Sequence, residues 1–115
     1  MTTHDDRVYL TYILECADRI RDYTHNGNAA FMESSLVQDA VLRRLQTMAE
    51  STQRLSDGLK EQAPEVDWRA LSGFRNVLVH DYLGGIDLGQ VWDAVVLYLP
   101  RLEAAVRKLI DEAET

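Results

Sequence analysis

Disulfide chemistry is closed to this chain, because it holds a single cysteine, Cys16. The fold must therefore stand on its core alone, and the cysteine usage fits a reducing, cytoplasmic setting. Cys16 itself lies on an apolar stripe and reads as a small core residue. Two prolines and six glycines leave no room for a Pro/Gly-rich linker. Apolar runs long enough to span a bilayer are missing, so no membrane partner is expected. The opening Met1-Thr2-Thr3-His4-Asp5-Asp6 is polar and acidic, which is not a secretory leader pattern.

Basic residues are scarce as well: 12 stand against 19 acids, for a net charge of −7. That balance opposes bulk attachment to DNA or to anionic membranes. It leaves room for an RNA enzyme whose few cations are gathered in a cleft. His4, His25 and His80 are scattered, with no His-Glu-x-x-His and no cysteine pair, so no metal site is expected. Gly84-Gly85 and Gly89 make neither a dinucleotide nor a P-loop fingerprint, and no cofactor is expected. Any chemistry must then rest on acid–base groups and fixed charge.

What is present is hydrophobic residue at helical spacing. The chain is 46% hydrophobic and, at 115 residues, reads as one domain over 1–115. A first helix, 5 to about 24, carries Leu10, Ile13, Ala17 and Ile20, and Asn26-Gly27-Asn28 ends it. A linker holds Phe31 and Met32. Ser35-Leu36-Val37-Gln38 has the form of a capping box and opens a helix through Val41, Leu45, Met48 and Thr52, punctuated by Asp57-Gly58. Arg43, Arg44 and Arg54 mark its polar side. After the break at Pro64, Asp67 is an expected N-cap for a helix starting at Trp68. Gly73 inside that helix predicts close approach of a neighbour. Asp87 caps a last helix, in which Pro100 predicts a kink, followed by a frayed tail from Asp111. The expectation is an all-α antiparallel bundle of four to five helices.

The chain is organised around Arg75-Asn76-Val77-Leu78-Val79-His80-Asp81-Tyr82. With Arg75 as zero, Leu71, Phe74, Val77 and Leu78 fall within an arc of roughly 200° to 320°, the expected buried side. Asn76 and His80 fall near 100° and 140°, and Tyr82 returns to within about 20° of Arg75. A cation, an amide, an imidazole and a phenol thus share an exposed face. Histidine suits proton transfer near neutrality, and the arginine fork matches phosphate oxygens. A histidine near a helix C-terminus is also favourable to the helix dipole without any chemistry.

These eight residues resemble the motif of the HepT-like toxins of the HEPN superfamily: arginine, four residues of which the first is polar, histidine, one residue, tyrosine. The flanking Trp68-Arg69, Gly73-Phe74 and Val91-Trp92 are similar to the family too, as is the upstream segment from Asp39 to Ser56 that includes Glu50. The resemblance implies a HEPN-like bundle that forms a homodimer, and a metal-independent endoribonuclease with its site at the dimer cleft. It implies catalytic roles for Arg75 and His80, with Asn76 assisting, on an RNA substrate. It also implies a toxin whose antitoxin is an MNT-type nucleotidyltransferase that transfers AMP to Tyr82. The alternative reading is a non-catalytic HEPN-like dimer that binds a nucleotidyltransferase or a nucleotide.

Overall fold

The structure is a computed structural model that describes residues 4–80 and 85–114. Helix α1, His4–Thr24, is made by Leu10, Ile13, Ala17 and Ile20, spaced three and four apart and all fully buried. Gly27, at φ 92°, turns the chain and donates its N–H to the Thr24 carbonyl at 3.0 Å. The left-handed backbone there suits glycine, which has no Cβ to clash.

The segment expected as a linker is a short helix, α2, Asn28–Glu33, and its Phe31 is fully buried. Six residues are too few to declare a period, so only packing could identify them. Helix α3, Ser35–Gln53, is capped by Ser34 and not by Ser35: the Ser34 hydroxyl accepts from the Val37 N–H at 3.1 Å. Gln38 does not complete a box. Its amide donates to the Phe31 and Met32 carbonyls at 2.9 and 3.1 Å, tying α3 back to α2. Asp57-Gly58 opens a helix where the sequence suggested an ending. Ser56 caps α4, Asp57–Glu61.

Buried Asp6 reaches across to that cap. Its carboxylate accepts from the Ser56 N–H at 2.8 Å and from the Ser56 hydroxyl at 2.7 Å. Hydrogen bonds to a charged acceptor contribute about 1.5–3 kcal/mol each way of counting. We expect Asp6→Ala to lose about 1.5–3 kcal/mol of stability, read as a lower urea midpoint at constant slope. An unmoved midpoint would mean that the contact does not hold α1 against α4.

Asp67 caps α5, Trp68–His80, its carboxylate accepting from the Ala70 N–H at 2.9 Å. The Trp68 indole donates to the Lys60 and Ala63 carbonyls, both at 3.2 Å, and anchors the start of α5 on α4. Asp87 caps α6, Leu88–Asp93, accepting from Gly89 and Gln90. Next comes a π-helical turn, Ala94–Tyr98, and then α7, Leu99–Glu114. Pro100 explains the widened turn that stands in place of a simple kink. It has no N–H for the Val96 carbonyl, and its ring would crowd that oxygen in an α-helix. The Leu99 N–H bonds the Ala94 carbonyl instead. The tail is helical to Glu114, which pairs with Arg7 of α1, so it is not frayed as expected.

The result is the expected all-α antiparallel bundle, with no strand among the described residues. α1 packs on α3 and α7, and α5 packs on α3. An ion pair of Arg21 with Glu103 joins α1 to α7, and Arg107, one turn on in α7, pairs with the same carboxylate. No helix among the described residues is long and apolar enough to cross a membrane.

Candidate functional site

Helix α5 packs chiefly on α3, and its buried stripe is turned from the expected one. Leu78 is buried, Leu71 and Phe74 are half-buried, and Val77 is 42% exposed. Arg75 and Val79, placed on the polar side by the helical wheel, are half-buried. The stripe that faces protein is thus centred about 60° from the predicted one. Gly73 is exposed, and a Cβ there would meet nothing within 4 Å among the described residues, so none of the described helices approaches it closely.

The rotation is explained by Glu50 of α3. Its carboxylate accepts from Arg75 Nη2 at 3.2 Å and draws the guanidinium against α3. The Arg75 Nη1 donates to the Asn76 side-chain oxygen at 3.3 Å. Its Nε–H is buried without a hydrogen-bond partner among the described residues. The two side chains of the ion pair are 28% and 35% exposed, so the pair itself contributes about 1 kcal/mol or less. Its effect is geometric. A guanidinium fixed through one nitrogen and one neighbour holds its fork in place, with donors left over for another acceptor.

Asn76 and His80 are exposed. His80 is the last residue of α5. Arg75, Asn76 and His80 therefore lie on one helix as the sequence indicated, but Arg75 is recruited to α3 while the other two face solvent. Tyr82, and Asp81 before it, lie outside the described residues. Among the described residues no three His, Cys, Asp or Glu side chains could share a metal ion.

Arg75 and Glu50 also line a polar pocket of about 580 Å³ with Asp5, Tyr9, Gln53 and Arg54. Glu50 and Arg54 drew no chemical role from the sequence. An acid 25 residues upstream of its partner carries no local signal, and only the packing of α3 on α5 brings the two together. Arg44, read from the sequence as part of a solvated face, is half-buried on the α1 side of α3. Hydrogen bonding to Tyr23, then to Cys16, holds its guanidinium above the ordinary arginine value, so it stays charged.

A second feature adjoins α5. Leu71 and Phe74 face Leu99 and Leu102 across an apolar groove of about 1030 Å³. Val96, Leu97 and Tyr98 of the π turn are 45%, 51% and 60% exposed.

Comparison with known proteins bears on this arrangement. The family model described as "Ribonuclease HepT-like" matches residues 13–109. A Thermococcus cleftensis protein named "Probable ribonuclease HepT" is 30% identical over 93% of this chain and 96% of its own. A Methanocaldococcus jannaschii protein named as a gamma-glutamylcyclotransferase and putative RNase is 31% identical over 96% of this chain. This chain spans only 50% of that relative's length. Another protein of the same organism, named as a putative RNase, is 29% identical over 92% of this chain and 97% of its own. No solved structure gives a significant match. With its helical bundle and its Arg75-Asn76…His80 helix, the chain belongs to the HepT-like family.

Proposed function

We propose that this protein is a metal-independent endoribonuclease, with Arg75, Asn76 and His80 as its catalytic set. The observation that carries the reading is Arg75, half-buried and held by Glu50, on the same helix as exposed Asn76 and His80 in a HepT-like chain. In the reaction the RNA 2′-oxygen attacks the adjacent phosphorus and the bond to the 5′-oxygen breaks. One proton leaves the 2′-hydroxyl and one is given to the 5′-oxygen. Imidazole suits both transfers, and the arginine fork suits the charged phosphorane between them.

One chain brings one such histidine. A homodimer that joins two α5 helices would supply two histidines and two arginines to a single cleft. The exposed Val77 and the apolar groove beside it support a covered face, since such patches on monomers mark interaction sites. The protein then acts in the cytoplasm as the toxin of a toxin–antitoxin pair. The antitoxin is an MNT-type nucleotidyltransferase that adds AMP to Tyr82, the Tyr82 oxygen attacking the α-phosphorus of ATP as pyrophosphate leaves. The added nucleotide would compete with RNA phosphate for Arg75 and fill the cleft.

Purified wild-type protein is expected to cut total RNA in EDTA, with the His80→Ala protein inactive as control. Failure to cut, with no adduct on Tyr82 by intact mass, would favour a non-catalytic dimer that binds a nucleotidyltransferase or nucleotide. Tyr82→Phe is expected to retain cleavage and to gain no mass when incubated with antitoxin and ATP. A mass increase of one AMP on that variant would exclude Tyr82 as the only acceptor.

A further inference from the structure

We infer that the pocket formed by Tyr9, Glu50, Gln53, Arg54 and Arg75 is a subsite for an RNA nucleotide flanking the cleaved phosphate, with Arg54 binding that nucleotide's own phosphate. The inference rests on the ribonuclease reading for its substrate and extends it to a second point of contact.

The pocket, at about 580 Å³, has room for one nucleotide and is walled by polar side chains beside Arg75. Within it the charges divide unequally in their commitments. Glu50 is already occupied by Arg75 at 3.2 Å. Arg54 makes no ion pair and no side-chain hydrogen bond among the described residues, and it is exposed at the C-terminal end of α3. The remaining carboxylate, Asp5, sits in the first turn of α1, where the N-terminal end of the helix dipole offsets its charge. A phosphate approaching the pocket therefore meets one arginine held in place by Glu50 and one that makes no ion pair among the described residues. Tyr9 and Gln53 add a ring on which a base can stack and an amide for a base edge.

The net charge of −7 makes this arrangement matter more. Most of the surface repels RNA, so a cation beside Arg75 has to supply binding that the protein as a whole does not. A cation at a helix C-terminus is also favourable to the dipole, and Arg54 satisfies that role without RNA. The two roles separate experimentally, because a dipole contact does not change the number of phosphates neutralised.

The probe is a 2′-O-methyl oligoribonucleotide, which lacks the attacking hydroxyl and cannot be cleaved. Its affinity for the full-length wild type, Arg54→Gln, Arg54→Lys and Arg69→Gln is measured against salt. Each phosphate neutralised on a single strand contributes about −0.7 to the slope of log K against log salt. Arg54→Gln is expected to flatten the slope by about 0.7, with Arg54→Lys close to wild type. Arg69→Gln, an exposed cation on α5 outside the pocket, is expected to leave the slope unchanged. On cleavable RNA, Arg54→Gln is expected to raise KM about three- to tenfold with kcat nearly unchanged, the mark of binding shared by ground and transition states.

An unchanged slope for Arg54→Gln, in a protein that binds the probe and cleaves RNA, overturns the subsite and leaves the ribonuclease reading standing. A flattened slope in a protein that never cleaves supports the subsite and overturns the ribonuclease. Wild-type protein that does not bind the probe overturns the subsite outright. Circular dichroism of each variant separates lost contact from lost fold.

Discussion

His80→Ala is expected to lower RNA cleavage by about 10²–10⁴-fold while the protein stays folded. The stability side of this expectation follows from position. His80 is exposed, at the last residue of α5. Losing a basic side chain from a last helical turn costs about 0.3–1 kcal/mol, which moves a denaturation midpoint slightly and leaves the bundle intact. The catalytic side follows from chemistry. Cleavage of the phosphodiester needs a proton taken from one oxygen and given to another, and in the Arg75–His80 stretch only the imidazole exchanges protons readily near neutrality. Initial rates on total RNA in EDTA, beside a urea titration of the same preparation, test both halves. A variant that keeps a third or more of wild-type activity would remove His80 from the mechanism. The Arg75→Ala/His80→Ala double variant should be little worse than either single one, because groups acting on one transition state are not additive.

Phe31→Ala is expected to cost about 3–5 kcal/mol, a large part of the stability of a domain this size. Phe31 is fully buried, and its ring lies 5.4 Å from that of Trp92 at an interplanar angle of 37°. It therefore joins the short α2 to the end of α6, and truncation leaves a cavity that neither short helix can close by moving alone. The Gln38 amide bonded to the Phe31 carbonyl holds α2 in place around that cavity. In urea the midpoint should fall by roughly 1.5–3 M at the slopes usual for small proteins. Met32→Ala is the internal comparison, since the neighbouring side chain is exposed. It should shift stability by about 0.5 kcal/mol or less. Equal losses at the two positions would contradict the packing described for α2.

Both expectations draw on different depths of the sequence. The Arg75–His80 stretch was legible as part of one helix because it is local, and helical geometry alone gives the spacing of its residues. Long helices were readable for a related reason. Leu10, Ile13, Ala17 and Ile20 repeat often enough to define a face, and Asp67 and Asp87 cap within their own turns. Two of the errors share a cause as well. The Asp57-Gly58 ending and the Phe31 linker concern helices of five and six residues, too short for a period to emerge.

The sequence by itself therefore determined the helical class, the main helices and the Arg75-Asn76…His80 arrangement, because each depends on residues within a few turns of one another. Tertiary structure alone decided which side of α5 is covered. A helical wheel ranks residues by polarity, but the ion pair with Glu50 turns Arg75 toward α3 and leaves Val77 in the open. It alone decided that Asp6 completes the cap of α4, and that Arg54 shares a pocket with Arg75. Each of these joins residues distant in the chain. No local preference encodes such a meeting; it follows from how the helices pack.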